Sequence, residues 1–204
     1  SLGFDNERLA QAAYKQMQVL PFYHGFTGRS HTPMIELAEM LLERAPVPMS
    51  KVFFANSGSE ANDTAINMIW YFNNALGRPA KKKIIGRIRG YHGITIAAAS
   101  VTGQAANHKA FDVPLPGFLH LQCPTFYHNG KPGETEEQYA TRCAEELEAL
   151  IAKEGADTIA AMFAEPIMGA GGVVLPPRTY FEKIQAVLKK HDILLVVDEV
   201  ICGF

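Results

Sequence analysis

The chain has 204 residues, 48% hydrophobic and 20% charged, with 19 Lys and Arg against 21 Asp and Glu for a formal net charge of −2. These values exclude a disordered tail, a collagen-like fibre and a small disulfide scaffold. The near-neutral balance also argues against a dedicated nucleic-acid binder, which carries a clustered basic excess. The length allows a sizeable core in one or two domains. Cys123, Cys143 and Cys202 are odd in number and include no CxxC. They read as reduced, buried structural thiols of a cytoplasmic protein, not as a disulfide frame or zinc site. The seven histidines lack the paired spacing of a metal site, so no metal is expected. No secretory signal is visible, and no apolar run approaches the ~20 residues that cross a bilayer. The chain does not begin with Met, as expected of a processed or partial chain.

Leu9, Ala12, Ala13, Gln16, Met17 and Leu20 form a mostly apolar stripe at helical spacing, which predicts a helix from Asp5 to Leu20. An aromatic loop over residues 21–29 leads to a second helix from Thr32 to Ala45, with Pro33 in its first turn and Pro46 beyond its end. Lys51 to Ala55 reads as a short strand. Ser57 and Glu60 then have the spacing of a capping box, opening a helix that runs to about Leu76, where Gly77 and Pro79 stop it. Lys82 to Arg89 is the next strand, with Lys81, Lys82 and Lys83 expected as a solvated edge.

Residues 94–133 read as long loops with short pieces of structure. Thr135 and Gln138 form a second capping-box pattern for a helix ending near Gly155. Its Glu134, Glu136, Glu137, Glu145, Glu146 and Glu148 are expected on a solvated face. Ile159 to Ala164 is a strand, Pro176 and Pro177 lead a helix to about His191, and Ile193 to Val197 is a continuous apolar strand. Alternation of strands and helices, with a last strand apolar on both faces, predicts an α/β fold whose largely parallel sheet is covered on each side.

Ligands of parallel α/β sheets sit outside the carboxyl ends of the strands. Four such ends carry distinctive residues. At the first, Gly58 and Ser59 can offer backbone N–H groups at a helix N-terminus and the serines add hydroxyls. That makes either a phosphate site or an ordinary N-cap. Neither a Walker loop nor a dinucleotide fingerprint is present. At the second, Tyr91 follows Gly90, placed either to stack on a flat ligand or to pack in the core. Glu165 marks the third. At the fourth, Asp198 closes an apolar strand and needs a cationic or hydrogen-bonding partner. An Arg, a helix cap or a protonated ring nitrogen of a cofactor would each serve.

Asn56-Ser57-Gly58-Ser59-Glu60, Gly90-Tyr91-His92-Gly93, Glu165-Pro166-Ile167-Met168-Gly169-Ala170-Gly171-Gly172 and Asp198-Glu199-Val200-Ile201-Cys202-Gly203-Phe204 together resemble the class III aminotransferases. These are pyridoxal-phosphate (PLP) enzymes of fold type I. The resemblance runs from about Leu20 to the end. It is nearest the ω-amino acid or amine:pyruvate branch, which Phe22-Tyr23-His24, the Gly169–Gly172 loop and Pro176-Pro177 favour. It implies the first part of a PLP-binding large domain over residues 26–204. Residues 1–25 would then associate with a small domain or dimer interface, in a homodimer whose active site forms between subunits. By resemblance, Ser57, Gly58 and Ser59 hold the PLP phosphate, Tyr91 and Val200 sandwich the ring, and Asp198 pairs with its nitrogen. Glu165 stands near the ring and orients Asp198 or the cofactor oxygen, and His92 supports the site from behind. Asp198 and Glu165 are the candidate catalytic residues. Phe22, Tyr23 and Phe26 are candidate pocket walls, with core or interface packing as their alternative, and Arg29 is either a carboxylate binder or a surface residue.

The lysine that binds the cofactor covalently in this family lies beyond the Asp-Glu-Val motif, and no lysine from Lys15 to Lys190 matches it. The chain therefore resembles the N-terminal portion of a longer enzyme and is expected not to transaminate alone. The function implied is transfer of an amino group from an amine or ω-amino acid to a keto acid such as pyruvate. An aminomutase or racemase of the same family, or an inactive fragment that only binds a partner, are the alternatives.

Overall fold

A computed structural model describes residues 2–203. Their contacts divide into two compact units, Ser1–Phe54 and Ala55–Phe204. In the first unit, helix α1 spans Glu7–Val19 behind the N-cap Asn6, whose side chain accepts the Leu9 N–H at 3.2 Å. Helix α2 spans Thr32–Arg44, with Pro33 in its first turn and His31 as cap. Among the described residues neither helix has a buried one, so the apolar stripe of α1 is formed but exposed. Lys51 to Ala55, expected as a strand, is not one. Its apolar residues carry the β signal, but a strand also needs a ladder partner, and this segment joins no ladder among the described residues.

The second unit is a four-stranded, all-parallel sheet. Its strands are β1 Lys83–Arg87, β2 Phe118–Leu121, β3 Ile159–Ala164 and β4 Leu194–Val197, in the spatial order β2-β1-β3-β4. The long helices are α3 Gly58–Ala75, α7 Glu136–Glu154 and α8 Tyr180–Lys190. Three short ones intervene: α4 Ile96–Val101, α5 Ala105–His108 and α6 Phe126–Asn129. Successive residues of a strand point to opposite faces. Accordingly, Ile85 and Met162 pack with Leu147, Ile151 and Ile184 of α7 and α8. Ile84 and Phe163 pack on the other face with Ile66 and Ile69 of α3. Burying each of these large apolar side chains contributes about 1.5–3 kcal/mol. The expected α/β class, with helices on both faces of a parallel sheet, is what forms.

Thr135 and Gln138 exchange both bonds of the capping box at the start of α7. At Ser57 the box is half made. The Ser57 hydroxyl accepts the Glu60 N–H, but the Glu60 carboxylate reaches one residue further back, to Asn56. Helix α8 starts at Tyr180, three residues after Pro177. The region read as long loops contributes β2, an edge strand of the sheet.

Other expectations are corrected. Strand β4 is not covered on both faces: it is an edge among the described residues, with Leu194 39% and Val197 44% exposed. The Lys81–Lys83 run is no solvated edge. Lys81 is buried, Lys82 Nζ donates to the Trp70 carbonyl and Asn74, and Lys83 Nζ pairs with Glu154 at 2.7 Å. The α7 glutamates Glu136, Glu137, Glu145 and Glu146 are exposed, as expected of a solvated face, while Glu134, just ahead of the helix, pairs with Arg142, whose hydrogen bonds pull its carboxyl down to about 2. Glu137 pairs with Lys183 and Glu148 with Lys190. Cys123 and Cys143 are buried, and burial pushes the Cys143 thiol up to about 11, but Cys202 is exposed.

Candidate active site

The sheet places the four strand-end motifs around one cavity of about 180 Å³. Ser57, Gly58, Ser59, Tyr91, His92, Glu165, Asp198 and Val200 all line it. Every residue expected to contact the cofactor is therefore at one site within the second unit.

One wall is the N-terminus of α3. Glu60 N–H is capped by Ser57, and the Gly58 and Ser59 N–H groups ahead of it have no intrahelical partner, as the first turn of any helix dictates. They leave two donors at the positive end of the helix dipole, where an anion is stabilised. Close approach of backbone is built in here. A Cβ on Gly58 would lie 2.9 Å from Val200 Cγ2. Gly93, at φ +127°, admits no side chain because a Cβ would collide with Ser59 Oγ. Ser59 Oγ accepts the Ile94 N–H at 3.0 Å, tying this turn to the helix.

The opposite wall is Asp198, directly after β4 and 8% exposed. Its Oδ2 meets His92 Nδ1 at 2.9 Å and accepts from Asn62 Nδ2 at 2.8 Å, while Oδ1 accepts the Val200 N–H at 3.2 Å. Burial pushes this carboxyl up, but the hydrogen bonds from His92 and Asn62 and the His92 charge outweigh it, so it lies below its ordinary value. Asp198 is thus held as a buried anion. His92 is buried against the edge of Phe163, its N–H bonds Thr102, and its Nε2 has no partner among the described residues.

Glu165 follows β3 and is 4% exposed. Its Oε1 accepts the Tyr91 N–H at 3.0 Å and its Oε2 accepts the Gly169 N–H at 3.1 Å. The carboxylate therefore fixes the turn that carries Tyr91 and the glycine-rich loop. Asp198 is oriented by His92 and Asn62 instead. The Glu165 carbonyl accepts from Arg87 Nη2 at 2.6 Å. Arg87 is fully buried beside the rings of Tyr180 and Phe181, each 5.9 Å from its guanidinium carbon. Tyr91 is 37% exposed and lines the cavity, where its ring can stack on a flat ligand.

Phe22, Tyr23 and Phe26 belong to the first unit and are exposed, Phe22 by 80% and Phe26 by 75%. Arg29 donates to the Tyr23 hydroxyl at 3.3 Å, so it is tied to its own loop. Among the described residues no group of three or more His, Cys, Asp or Glu side chains could hold a metal.

Sequence reasoning missed Asn62 and Arg87. A signal for the first exists: Asn62, Ile66, Ile69 and Asn73 are the buried stripe of α3, so a polar residue sits where the periodicity calls for an apolar one. Nothing local distinguishes Arg87 from a surface arginine.

The aminotransferase class-III family model matches residues 1–204. Over 205 aligned positions the chain is 57% identical to gamma aminobutyrate transaminase 3, chloroplastic, of Solanum lycopersicum, covering all of this chain and 39% of that protein. It is 54% identical to vanillin aminotransferase of Capsicum frutescens, covering 45% of that protein. Among solved structures, an omega transaminase from Pseudomonas jessenii in complex with PMP superposes with a TM-score of 0.98 at 64% identity, over 100% of this chain and 45% of that one. A thermostable mutant of the enzyme from that organism gives 0.98 at 63% identity over the same shares. The chain spans less than half the length of each of these relatives. With a match along its whole length and a shared fold, the chain belongs to the class-III aminotransferases.

Proposed function

We propose that this chain is the cofactor-binding portion of a PLP-dependent aminotransferase that moves an amino group from an amine or ω-amino acid to a keto acid such as pyruvate. The observation that carries the reading is the pairing of a buried, anionic Asp198 with an anion-accepting helix N-terminus across one cavity. PLP has a phosphate dianion, a flat ring and a basic ring nitrogen, and the residues present fit all three. Gly58 and Ser59 N–H groups and the Ser57 and Ser59 hydroxyls would hold the phosphate. Tyr91 and Val200 would flank the ring, and Asp198 would accept a hydrogen bond from the protonated nitrogen. When bound, the cofactor supplies a conjugated cationic ring that takes up the electron pair left at the carbon bearing the amino group. The part played by this chain is electrostatic. Asp198, desolvated but kept ionised by His92 and Asn62, holds a proton on the facing nitrogen without surrendering its own charge.

The aromatic Phe22, Tyr23 and Phe26 belong to the same reading as walls of the amine pocket, as does a homodimer with residues 1–25 at its interface or against a small domain. A relative named for gamma-aminobutyrate and a neighbour named an omega transaminase support an amino group remote from a carboxylate. A cytoplasmic location is the expectation from the cysteines, and relatives named chloroplastic and mitochondrial make cell fractionation its direct test. The experiment for the activity uses the full-length protein. Borohydride reduction after incubation with PLP should fix one cofactor at a single lysine, and amine plus pyruvate should give alanine. Isomerisation without keto-acid-dependent transfer would indicate an aminomutase or racemase, and no cofactor uptake would leave only a binding role.

A further inference from the structure

The proposed reading gives Asp198 its task but does not say what keeps the carboxylate turned the right way. We infer that Asn62 is a positioning residue that locks the rotation of Asp198 and fixes it to the same helix that presents the phosphate donors. This inference rests on PLP being the ligand of the site.

Asn62 lies in the second turn of α3, three residues after Ser59 and four after Gly58, so it projects from the same face one turn deeper. It is 6% exposed. Its Nδ2 donates to the His92 carbonyl at 2.7 Å and to Asp198 Oδ2 at 2.8 Å, spending both amide hydrogens. The opposite amide orientation would set an oxygen against a carbonyl and a carboxylate, so the surrounding acceptors determine the orientation. Asp198 Oδ2 thereby has two side-chain partners, His92 and Asn62. Oδ1 has one backbone donor at 3.2 Å and is the oxygen with acceptor capacity left for a ring nitrogen.

His92 alone would not fix this. It contacts Oδ2 through a single nitrogen, and the only other restraint besides Asn62 among the described residues is the long Val200 N–H bond to Oδ1 at 3.2 Å. A short second donor on Oδ2 from Asn62 tightens that restraint. Asn62 also joins parts of the chain 30 and 136 residues away, so one side chain sets the spacing between the phosphate cradle, the Tyr91–His92 turn and the acid. An apolar residue would pack into the buried stripe of α3 equally well, and an unpaired polar group there would cost stability.

The test uses the full-length holoenzyme with Asn62→Ala, Asn62→Leu and the isosteric Asn62→Asp. Hydrogen bonds to charged groups are worth enough that losing one should raise the cofactor dissociation constant on the order of 10-fold. In the Ala and Leu variants the pH titration of the cofactor's visible absorbance should shift, and kcat should fall with little change in KM for the amine. In Asn62→Asp, two facing carboxylates cannot both stay ionised, so the same titration should shift further. Ser59→Ala is the control: it should weaken cofactor retention and leave the titration in place. Variants that melt like the wild type and show its titration and kcat would overturn the inference and leave the PLP reading intact. A wild-type protein that takes up no PLP would overturn both. If the Ala and Leu variants do not fold, the Asp variant decides the matter by its titration alone.

Discussion

Two carboxylates end neighbouring strands of the sheet. Ala164 and Val197 are paired in register, and Glu165 and Asp198 follow them directly. Both acids are buried, yet they are satisfied by opposite means. Glu165 receives two backbone N–H groups, from Tyr91 and Gly169. Asp198 receives two side chains, His92 and Asn62, and one long backbone bond. A carboxylate held by backbone donors is a fastener, because its partners cannot be changed without moving the chain. One held by side chains is adjustable, because each donor can be exchanged to tune its charge. We propose that the fastener serves architecture and the adjustable acid chemistry.

The comparison breaks most visibly at Asp198. In the full-length protein Asp198→Asn should leave the fold intact and lower kcat/KM by about 10²–10³-fold, the scale of losing one preorganised electrostatic partner of a reacting centre. Steady-state kinetics beside a circular dichroism spectrum would show it. Glu165→Gln should do the reverse. An amide would turn a donor toward an N–H group, costing roughly 1–3 kcal/mol of stability with the smaller share of the damage in activity. Urea denaturation measures that, and a kinetic loss equal to that of Asp198→Asn would erase the distinction.

Acid sharpens it further. The Asp198 carboxyl is raised by burial and lowered more by His92 and Asn62, for a net depression. Its contribution to stability is thus fully present above the unfolded value of about 3.9 and is lost as pH falls through the lower folded value. His92→Asn should raise the folded value toward the unfolded one, so the acid-dependent loss of stability should shrink, read as a shallower acid limb of urea midpoint against pH. The smallest effect concerns two helix caps. Ser57→Ala and Thr135→Ala should each cost about 1 kcal/mol. Only the Ser57 variant should also weaken cofactor retention, since only its helix faces the site.

What was legible in the sequence follows from how local each signal is. The Thr135–Gln138 box, the Ser57 cap and the run of β3 are decided by residues a few positions apart, and they form. The convergence of Ser57, Tyr91, Glu165 and Asp198 was legible because a parallel sheet gathers its strand ends on one side. The partners of those residues were not. The Asn62 contact to Asp198 spans 136 residues and the Arg87 contact to Glu165 spans 78. The same limit explains residues 51–55 and β4. Apolar composition says that a segment wants a sheet, not which neighbours will flank it. Lys81 to Lys83 misled for a related reason, since a long amine finds carbonyls and carboxylates that the sequence places far away.

Strand β4 has a consequence for the molecule outside its chemistry. Residues 193–197 are five consecutive apolar residues with no proline. Such a segment is the kind that stacks with copies of itself into fibrils. It is bracketed by Asp192 and Asp198. In register-stacked copies both carboxylates would repeat every 4.7–4.8 Å, and that ladder of like charges opposes growth. The acid proposed to face a cofactor nitrogen is in this respect also a gatekeeper against aggregation.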